Sequence, residues 1–360
     1  MTAYPLRVTR KRVETPNAVS LWFDVPSDLK AAFGYKPGQF ITIEAVIGDE
    51  TLKRQYSLSS CPNLDDDLRI TVKKITDGRM SSWLVDDVSV GDLIEVEAPR
   101  GRFFQPPDNS RHIVLLACGS GIAPMLPIAR HLLHNQAGHK IVLAYGNRFA
   151  DSIILADEVN DLARLQNPPH VHLVLSQPDS DWCGSHGHID ANFLAAHHPV
   201  WRELANNLPS MVYLCGPETF MSTAEAFYIA AGVDPTDIRR ESFDLILDDD
   251  DEPPLIVGES AEDDFACQEI TAIVAGETYT VDAQGDESIL AALLRAGADV
   301  PYSCQEGTCS SCISKLTKGR ASVHAGVLKT LRQADLDEGL LLACLARPAS
   351  RLVRIDFDDI

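Results

Sequence analysis

Four of the nine cysteines lie towards the C-terminus as Cys304, Cys309, Cys312 and Cys344, a C-x4-C-x2-C run followed by a fourth thiol after thirty-one intervening residues. Three thiolates this close in one loop can wrap one side of a small iron-sulfur core while a distant fourth closes the coordination, which is the spacing of a 2Fe-2S site. A zinc site with four cysteine ligands ordinarily presents two CxxC pairs, and here there is one, so iron and sulfide are preferred over zinc. Gly307 inside the run lets backbone amides approach the sulfurs and stabilise the charge added on reduction. A segment of this kind carries one electron at a time.

Three other stretches carry residue types suited to holding nucleotides. Gly119-Ser120-Gly121-Ile122-Ala123-Pro124 follows an apolar strand ending at Ala117 and leads into a helix expected from Met125 to Leu133. Two glycines between strand and helix allow amides to meet a pyrophosphate at the helix N-terminus, although the third position of the usual fingerprint is Pro124. Arg54-Gln55-Tyr56-Ser57 sets a cation, a flat ring and a hydroxyl within one short stretch, a combination that can hold an anionic ligand and stack on it. Gly78-Arg79-Met80-Ser81-Ser82 opens a short helix through Leu84, a second place for an anion. Cys215 ends a buried strand and precedes Gly216-Pro217, where an open parallel sheet forms its ligand crevice.

Other candidates reduce to ordinary structure. Cys61, Cys118, Cys183 and Cys267 read as small buried hydrophobes or surface thiols. Gly184 to Asp190 holds two histidines and an aspartate, yet no third ligand recurs at helical or strand spacing, so it reads as a polar loop before a helix. His197 and His198 read as surface residues.

The elements that must position these groups fall into three segments. Up to Phe104 the chain shows short alternating strands punctuated by Gly and Pro, which predicts an antiparallel β-barrel over residues 1–106. From 107 to 244 the strands become near-continuous apolar runs, such as Ile113 to Ala117 and Met211 to Cys215, separated by helix-length segments. That pattern predicts an α/β doubly wound parallel sheet. Residues 245–264 contain Asp248 to Glu252 followed by Pro253-Pro254 and are read as a linker. Residues 265–360 hold two alternating strands and a helix from Ser288 to Ala296 capped by Gly297, an α+β domain bearing the cysteines.

The charge balance is 31 Lys and Arg against 52 Asp and Glu, a net of -21. Such a field repels a polyanion, so nucleic acid is a poor partner. Sixteen acids and no Lys or Arg lie between Glu241 and Leu294. This run is either a solvated, self-repelling tether or an acidic docking face for a basic partner. The absence of an apolar run long enough for a bilayer, and of a signal-like N-terminus, leads to the expectation of a cytoplasmic protein without a membrane span.

Taken together, these motifs resemble the flavin-dependent reductases of the ferredoxin reductase superfamily that carry a fused C-terminal plant-type ferredoxin. The chain closely resembles oxygenase reductases such as those of phenylacetyl-CoA epoxidase and 3-ketosteroid 9α-hydroxylase, and more distantly that of phthalate dioxygenase, from Val8 to Phe357. The resemblance implies a flavin barrel, a nucleotide domain and a β-grasp 2Fe-2S domain. It implies that Arg54, Gln55, Tyr56 and Ser57 form the flavin motif, with Tyr56 against the ring and Arg54 on phosphate, and that Gly78, Met80 and Ser81 hold the pyrophosphate. The Gly-x-x-Ser form at Gly78 favours FAD over FMN. Gly119, Ser120, Gly121 and Pro124 match the NAD(P)H loop, with Ala123 replacing a frequent threonine; Asn147 and Arg148 match its adenosine end, and Arg148 suits a 2′-phosphate. Cys215, Gly216 and Pro217 match the motif beside the nicotinamide, and Phe243 the residue near the flavin. Ser57, Ser120 and Cys215 are the implied catalytic groups, and Cys304, Cys309, Cys312 and Cys344 the cluster ligands. Gln305 and Ser310 depart from the frequent basic residue and glycine of the cluster loop.

Hydride carries two electrons, which a 2Fe-2S cluster cannot accept together, whereas a flavin takes hydride and releases electrons singly. The expected function is therefore a reductase that passes electrons from NADH or NADPH through FAD and the cluster to a terminal oxygenase. Another one-electron acceptor protein, such as a hybrid-cluster protein or desaturase, is the alternative, and a redox-sensing binding protein a more remote one.

Overall fold

A computed structural model describes residues 2–76, 78–135, 138–165, 168–242, 255–258, 269–284, 287–302, 307, 310–323, 327 and 330–360. The chain divides into two compact units, Thr2–Glu241 and Ser242–Ile360.

The larger unit opens with six antiparallel strands: β1 (Ala3–Thr15), β2 (Ala18–Asp24), β3 (Phe40–Ile47), β4 (Glu50–Ser57), β5 (Leu68–Lys73) and β6 (Leu93–Arg100), in the order β4-β3-β6-β1-β2-β5. A bridge between Leu58 and Ile70, continued by the Ser59 amide to the Arg69 carbonyl at 2.8 Å, joins the two edge strands and closes the expected barrel. Leu6, Val8, Leu21, Phe23, Ile41, Ile43, Ile70 and Val96 fill its interior. Strand β4 differs from the others, because Leu52 to Tyr56 are all partly exposed and only its last residue, Ser57, is buried. Helix α1 (Arg79–Asp86) follows β5 and extends slightly past the expected end at Leu84.

The second lobe is a sheet of parallel strands β7 (His112–Cys118), β8 (Lys140–Asn147), β9 (His170–Leu175), β10 (Ser185–His186), β11 (Ser210–Cys215) and β12 (Ile238–Glu241). Its order is β10-β9-β8-β7-β11-β12, with helices α2 (Ile122–His134), α3 (Ala156–Leu162), α4 (Ala191–Leu204) and α5 (Glu218–Ala230) in the crossovers. The chain runs outward from β7 to β10 and then returns to the other side of β7, so the strand order reverses between β7 and β11. A crevice opens at the C-terminal ends of strands at such a point. Helix α2 begins at Ile122, three residues before the expected Met125, because Gly119–Gly121 form one tight helical turn that runs straight into it. Pro124 falls in the first turn, where an N–H has no intrahelical acceptor, so its missing donor leaves no bond unmade. Ala18, Phe103 and Phe104 of the first lobe pack into the core of the second.

The smaller unit contains a mixed sheet of β14 (Glu269–Val274), β15 (Glu277–Asp282), β16 (Ile313–Lys318), β18 (Leu340–Leu342) and β20 (Leu352–Asp356), in the order β15-β14-β20-β16-β18. Helix α6 (Ile289–Arg295) packs on it, capped by Ser288, whose hydroxyl accepts the Ala291 amide at 3.1 Å, and followed by Gly297 at φ +77°. Helix α7 (Gln333–Asp337) precedes β18. A second sheet joins β13 (Leu255–Val257), β17 (Ala321–Val323) and β19 (Ala346–Pro348). Strand β13 lies inside the stretch expected to be a linker. It pairs with β17 from Leu255↔Val323 to Val257↔Ala321, and a side chain at Gly258 would meet the Gly319 carbonyl oxygen at 2.2 Å. Leu255 to Gly258 are therefore part of the smaller unit's fold, because Leu255-Ile256-Val257 is an apolar run with a sheet edge to join.

Candidate active site and electron-transfer centre

Strand β4 pairs with β3 in the register Phe40↔Ser57, Ile41↔Tyr56, Thr42↔Gln55 and Ile43↔Arg54. The two-residue alternation puts Arg54 and Tyr56 on one face, with Gln55 and Ser57 on the other. Tyr56 is half-buried, and burial pushes its phenol well above the usual range, so it is a neutral flat ring at any working pH. Gly78 caps α1 in an extended conformation; the Ser81 hydroxyl folds back to donate to its carbonyl at 3.1 Å. A Cβ at Gly78 would lie 2.5 Å from Ser81 Oγ and 2.3 Å from an Ile75 side-chain carbon, which explains the glycine. Met80 and Ser81 are buried, whereas Arg79 points outward to Glu50 and the Ile47 carbonyl.

The crevice of the second lobe is shaped by glycine. A Cβ at Gly121 would stand 2.0 Å from the Cys215 carbonyl oxygen, so the turn after β7 and the end of β11 touch only because that residue has no side chain. Gly119 has φ +55°, and its carbonyl accepts from the Tyr145 hydroxyl at 2.9 Å. Tyr145, fully buried on β8, is thus a prop beneath the turn. Ser120 is half-buried in the turn, and Pro217 caps α5. At the end of β8 the Asn147 side-chain amide nitrogen is buried beside the Tyr145 hydroxyl. Arg148 beside it is exposed; its Nε donates to Gln177 Oε1 at 3.0 Å and its guanidinium lies 5.1 Å from the Phe149 ring centroid.

The two lobes meet at Ser57. Its hydroxyl donates to Glu241 Oε2 at 2.7 Å, and Glu241 is the β12 neighbour of Cys215. The structure therefore links Ser57 through Glu241 to the strand end at Cys215, against which Gly121 packs. Burial pushes the Glu241 carboxyl up to about 7, against the pull of the Ser57 hydrogen bond. The sequence match at Glu241-Ser242-Phe243 assigned a role only to Phe243 and none to Glu241, and it passed over Lys73, the last residue of β5, whose Nζ lies 3.3 Å from where a Gly119 Cβ would be. A cation at the end of a barrel strand just before Gly78 is the signal that pointed to Lys73; a partnership across 184 residues leaves no such mark. Phe243 lies outside the described residues.

In the smaller unit, Cys304 and Cys309 lie outside the described residues. Cys312 and Cys344 are buried and belong to one core cluster, and the Ala343 amide donates to the Cys312 carbonyl at 3.0 Å, extending the β16–β18 ladder. The ladder thereby brings the backbone of the loop cysteine beside Ala343, the residue before Cys344. Gly307 is at φ +79°, with its carbonyl accepting from Thr330 Oγ1 at 2.5 Å, while Ser310 adopts φ +53°. The last value gives the reason for a glycine at that position: a left-handed residue is least strained without a Cβ. His186 and His188 join no group of three metal-binding side chains among the described residues.

Residues 5–104 match the Oxidoreductase FAD-binding domain, residues 115–226 the Oxidoreductase NAD-binding domain and residues 272–349 the 2Fe-2S iron-sulfur cluster binding domain. The ferredoxin reductase component of 3-ketosteroid-9-alpha-monooxygenase from Rhodococcus rhodochrous is 33% identical over 96% of this chain and 94% of its own length. The chain belongs to the oxygenase reductases of the ferredoxin reductase superfamily. This reductase is also 32% identical to one component of the 1,2-phenylacetyl-CoA epoxidase of Escherichia coli (strain K12), over 99% of this chain and 98% of that relative. Phthalate dioxygenase reductase shares the fold, with a TM-score of 0.58 at 23% identity over 99% of this chain and 98% of that one. The reductase thus has an FAD domain, an NAD-binding domain and a 2Fe-2S domain, in that order, and the last match spans all four clustered cysteines. No helix of the described residues is long and apolar enough to cross a membrane.

Proposed function

We propose that this reductase takes hydride from NAD(P)H at the junction of its two larger lobes and delivers single electrons from its cluster to the terminal component of an oxygenase. The observation that carries this reading is the 2.7 Å bond from Ser57 to Glu241, which ties the end of the flavin strand to the strand beside Cys215. Bound FAD supplies the conversion between a two-electron donor and a one-electron carrier.

The chain's own contribution is positioning. Tyr56 offers a neutral stacking face and Arg54 a cation for phosphate, while Gly78, Met80 and Ser81 frame the pyrophosphate. Gly119, Ser120 and Gly121, propped by Tyr145, present the turn at the start of α2 to the nucleotide, with Pro124 locking the first helical turn. Asn147 and Arg148 receive its adenosine end, and Arg148 suits a 2′-phosphate. Cys215, Gly216 and Pro217 shape the nicotinamide end of the crevice, and Phe243 follows Glu241 and Ser242 in the sequence. Glu241 needs no proton transfer for hydride to move; its role is to hold Ser57 in place and to set the local charge. Cys304, Cys309, Cys312 and Cys344 are the cluster ligands. A chain with nine cysteines, four of them in a cluster motif and no disulfide framework expected, suits the cytoplasm.

Anaerobic titration of the purified holoprotein with NADH and, separately, NADPH tests the reading. Bleaching of flavin and cluster bands by at least one nucleotide, followed by reoxidation on adding the cognate oxygenase component, is the expected result. Flavin that is not reduced by either nucleotide would overturn it.

A further inference from the structure

The two lobes of the larger unit are joined by a charge cluster that neither lobe completes alone. On the barrel, Trp22 of β2 lies among three guanidinium groups, with Arg10, Arg12 and Arg69 at 4.5, 5.7 and 5.3 Å from its ring centroid. Arg69 is only 4% exposed. Like charges gathered around one ring repel unless carboxylates intervene. The barrel supplies Glu14, which pairs with Arg12 at 2.8 Å. The carboxylate for Arg69 comes from the other lobe: Glu158 of α3 accepts from Arg12 Nη2 at 2.7 Å and from Arg69 Nη1 at 2.9 Å through the same oxygen. Among the described residues, no other carboxylate forms an ion pair with Arg69.

The cluster connects directly to the flavin strand. Arg69 Nη2 donates to the Ser59 carbonyl at 2.5 Å, and its backbone N–H donates to Ser60 Oγ at 2.9 Å, two and three residues beyond Ser57. A second clasp lies on the same segment. Arg130 of α2 makes a bidentate pair with Asp65 at 2.7 and 2.8 Å, and Asp65 Oδ2 also accepts the Cys61 amide at 2.7 Å. Helices α2 and α3 are the two that follow the nucleotide-binding turns at Gly119–Gly121 and Asn147–Arg148. Each turn that meets the nucleotide therefore leads into a helix bonded to the segment after Ser57.

A purely stabilising arrangement would place the balancing acid within the barrel. Here the barrel's own Glu14 reaches Arg12, and the carboxylate that pairs with Arg69 comes from the nucleotide lobe. We propose that Glu158 is a positioning residue for hydride transfer, fixing the approach of the nucleotide lobe to the flavin strand by closing the Arg12–Arg69–Trp22 cluster. This inference rests on the hydride-transfer reading above.

The test uses full-length holoprotein carrying Glu158→Gln, Glu158→Asp or Asp65→Asn. Stopped-flow measurement of flavin reduction separates the limiting rate from nucleotide affinity, and hydrogen exchange follows α3 and the Ser59–Arg69 segment. Misplacement of reacting groups by about 1 Å costs on the order of 100-fold, so Glu158→Gln is expected to lower the limiting rate by about 10- to 100-fold with nucleotide affinity unchanged. Exchange should rise together in α3 and in the Ser59–Arg69 segment, and Glu158→Asp should restore part of the rate. Asp65→Asn should act in the same direction and serves if Glu158→Gln fails to fold. A limiting rate and exchange equal to those of the parent protein would overturn the proposal, as would a loss that Glu158→Asp does not relieve and that falls equally on affinity. If neither nucleotide reduced the parent protein, the reductase reading would fall, while the exchange pattern would still decide whether Glu158 holds the lobes together.

Discussion

Replacing Ser57 by Ala removes the donor that lies 2.7 Å from Glu241 and nothing else from that carboxyl's immediate surroundings that the structure records. Burial raises the Glu241 carboxyl from its ordinary 4.5 to about 7, with the Ser57 bond pulling the other way. A hydrogen bond to a charged group is worth about 1.5–3 kcal/mol, and 1.36 kcal/mol is one pH unit, so losing it should move the Glu241 midpoint up by about one to two units. Near neutral pH the parent protein is poised close to its midpoint, whereas Ser57→Ala should be almost wholly protonated. The infrared carboxylic C=O band, followed from acid to alkaline pH, reports this ionisation, and Glu241→Gln identifies the band by removing it. The limiting rate of flavin reduction should inflect at the same midpoint in the parent protein, inflect higher in Ser57→Ala and lose the inflection in Glu241→Gln. Stability provides a second readout. A carboxyl raised in the folded state contributes stability that is fully present below about 4.5 and is lost as pH rises through about 7. Glu241→Gln should therefore flatten the stability profile between those values. A carboxylic band that titrates at the same pH with and without Ser57 would refute the reasoning.

Other consequences are equally direct. Gly121→Ala places a Cβ 2.0 Å from the Cys215 carbonyl and should destabilise the larger unit by about 2–3 kcal/mol, seen as a lower thermal midpoint of that unit alone. Arg148→Ala should weaken NADPH binding by roughly tenfold or more, from loss of a charge-assisted phosphate contact of about 1.5–3 kcal/mol, and leave NADH nearly unchanged, as measured by flavin-quenching titrations. His112 is completely buried, and desolvation, reinforced by Arg202 and His198, lowers it from 6.5 to about 4. The unfolded chain thus binds more protons between those values, so stability should fall as pH drops from 6.5 towards about 4, and His112→Asn should shallow that fall in denaturant titrations.

The parts of this reductase that could be read from its sequence are those whose physics is local. The spacing of Cys304, Cys309, Cys312 and Cys344 is a chemical constraint written along the chain, and the apolar runs of β7, β8 and β11 follow from burial on both faces of a parallel sheet. Local reasoning failed where a neighbour far along the chain changes what a residue does. The helix expected from Met125, after Pro124, begins at Ile122 because the Gly119–Gly121 turn starts it early. Leu255 to Val257 sit among acids and prolines and read as linker, yet the open edge at Ala321–Val323 gives them a sheet to join. Glu241 opens both the Glu241-Ser242-Phe243 match and an acidic stretch, and what gives it a role of its own is the hydroxyl of Ser57, 184 residues away. The same holds for Glu158: on its helix it looks like any surface acid, but Arg69, 89 residues earlier, has no other ion-pair partner among the described residues. Both acids act across the boundary between lobes. The cofactor motifs lie within each lobe, where local spacing suffices; the geometry between cofactors depends on pairs that only the folded chain brings together. A chain can therefore retain every recognisable motif and still lose hydride transfer through Ser57, Glu241 or Glu158, and that separation between motif and rate is what variants at these three positions would measure.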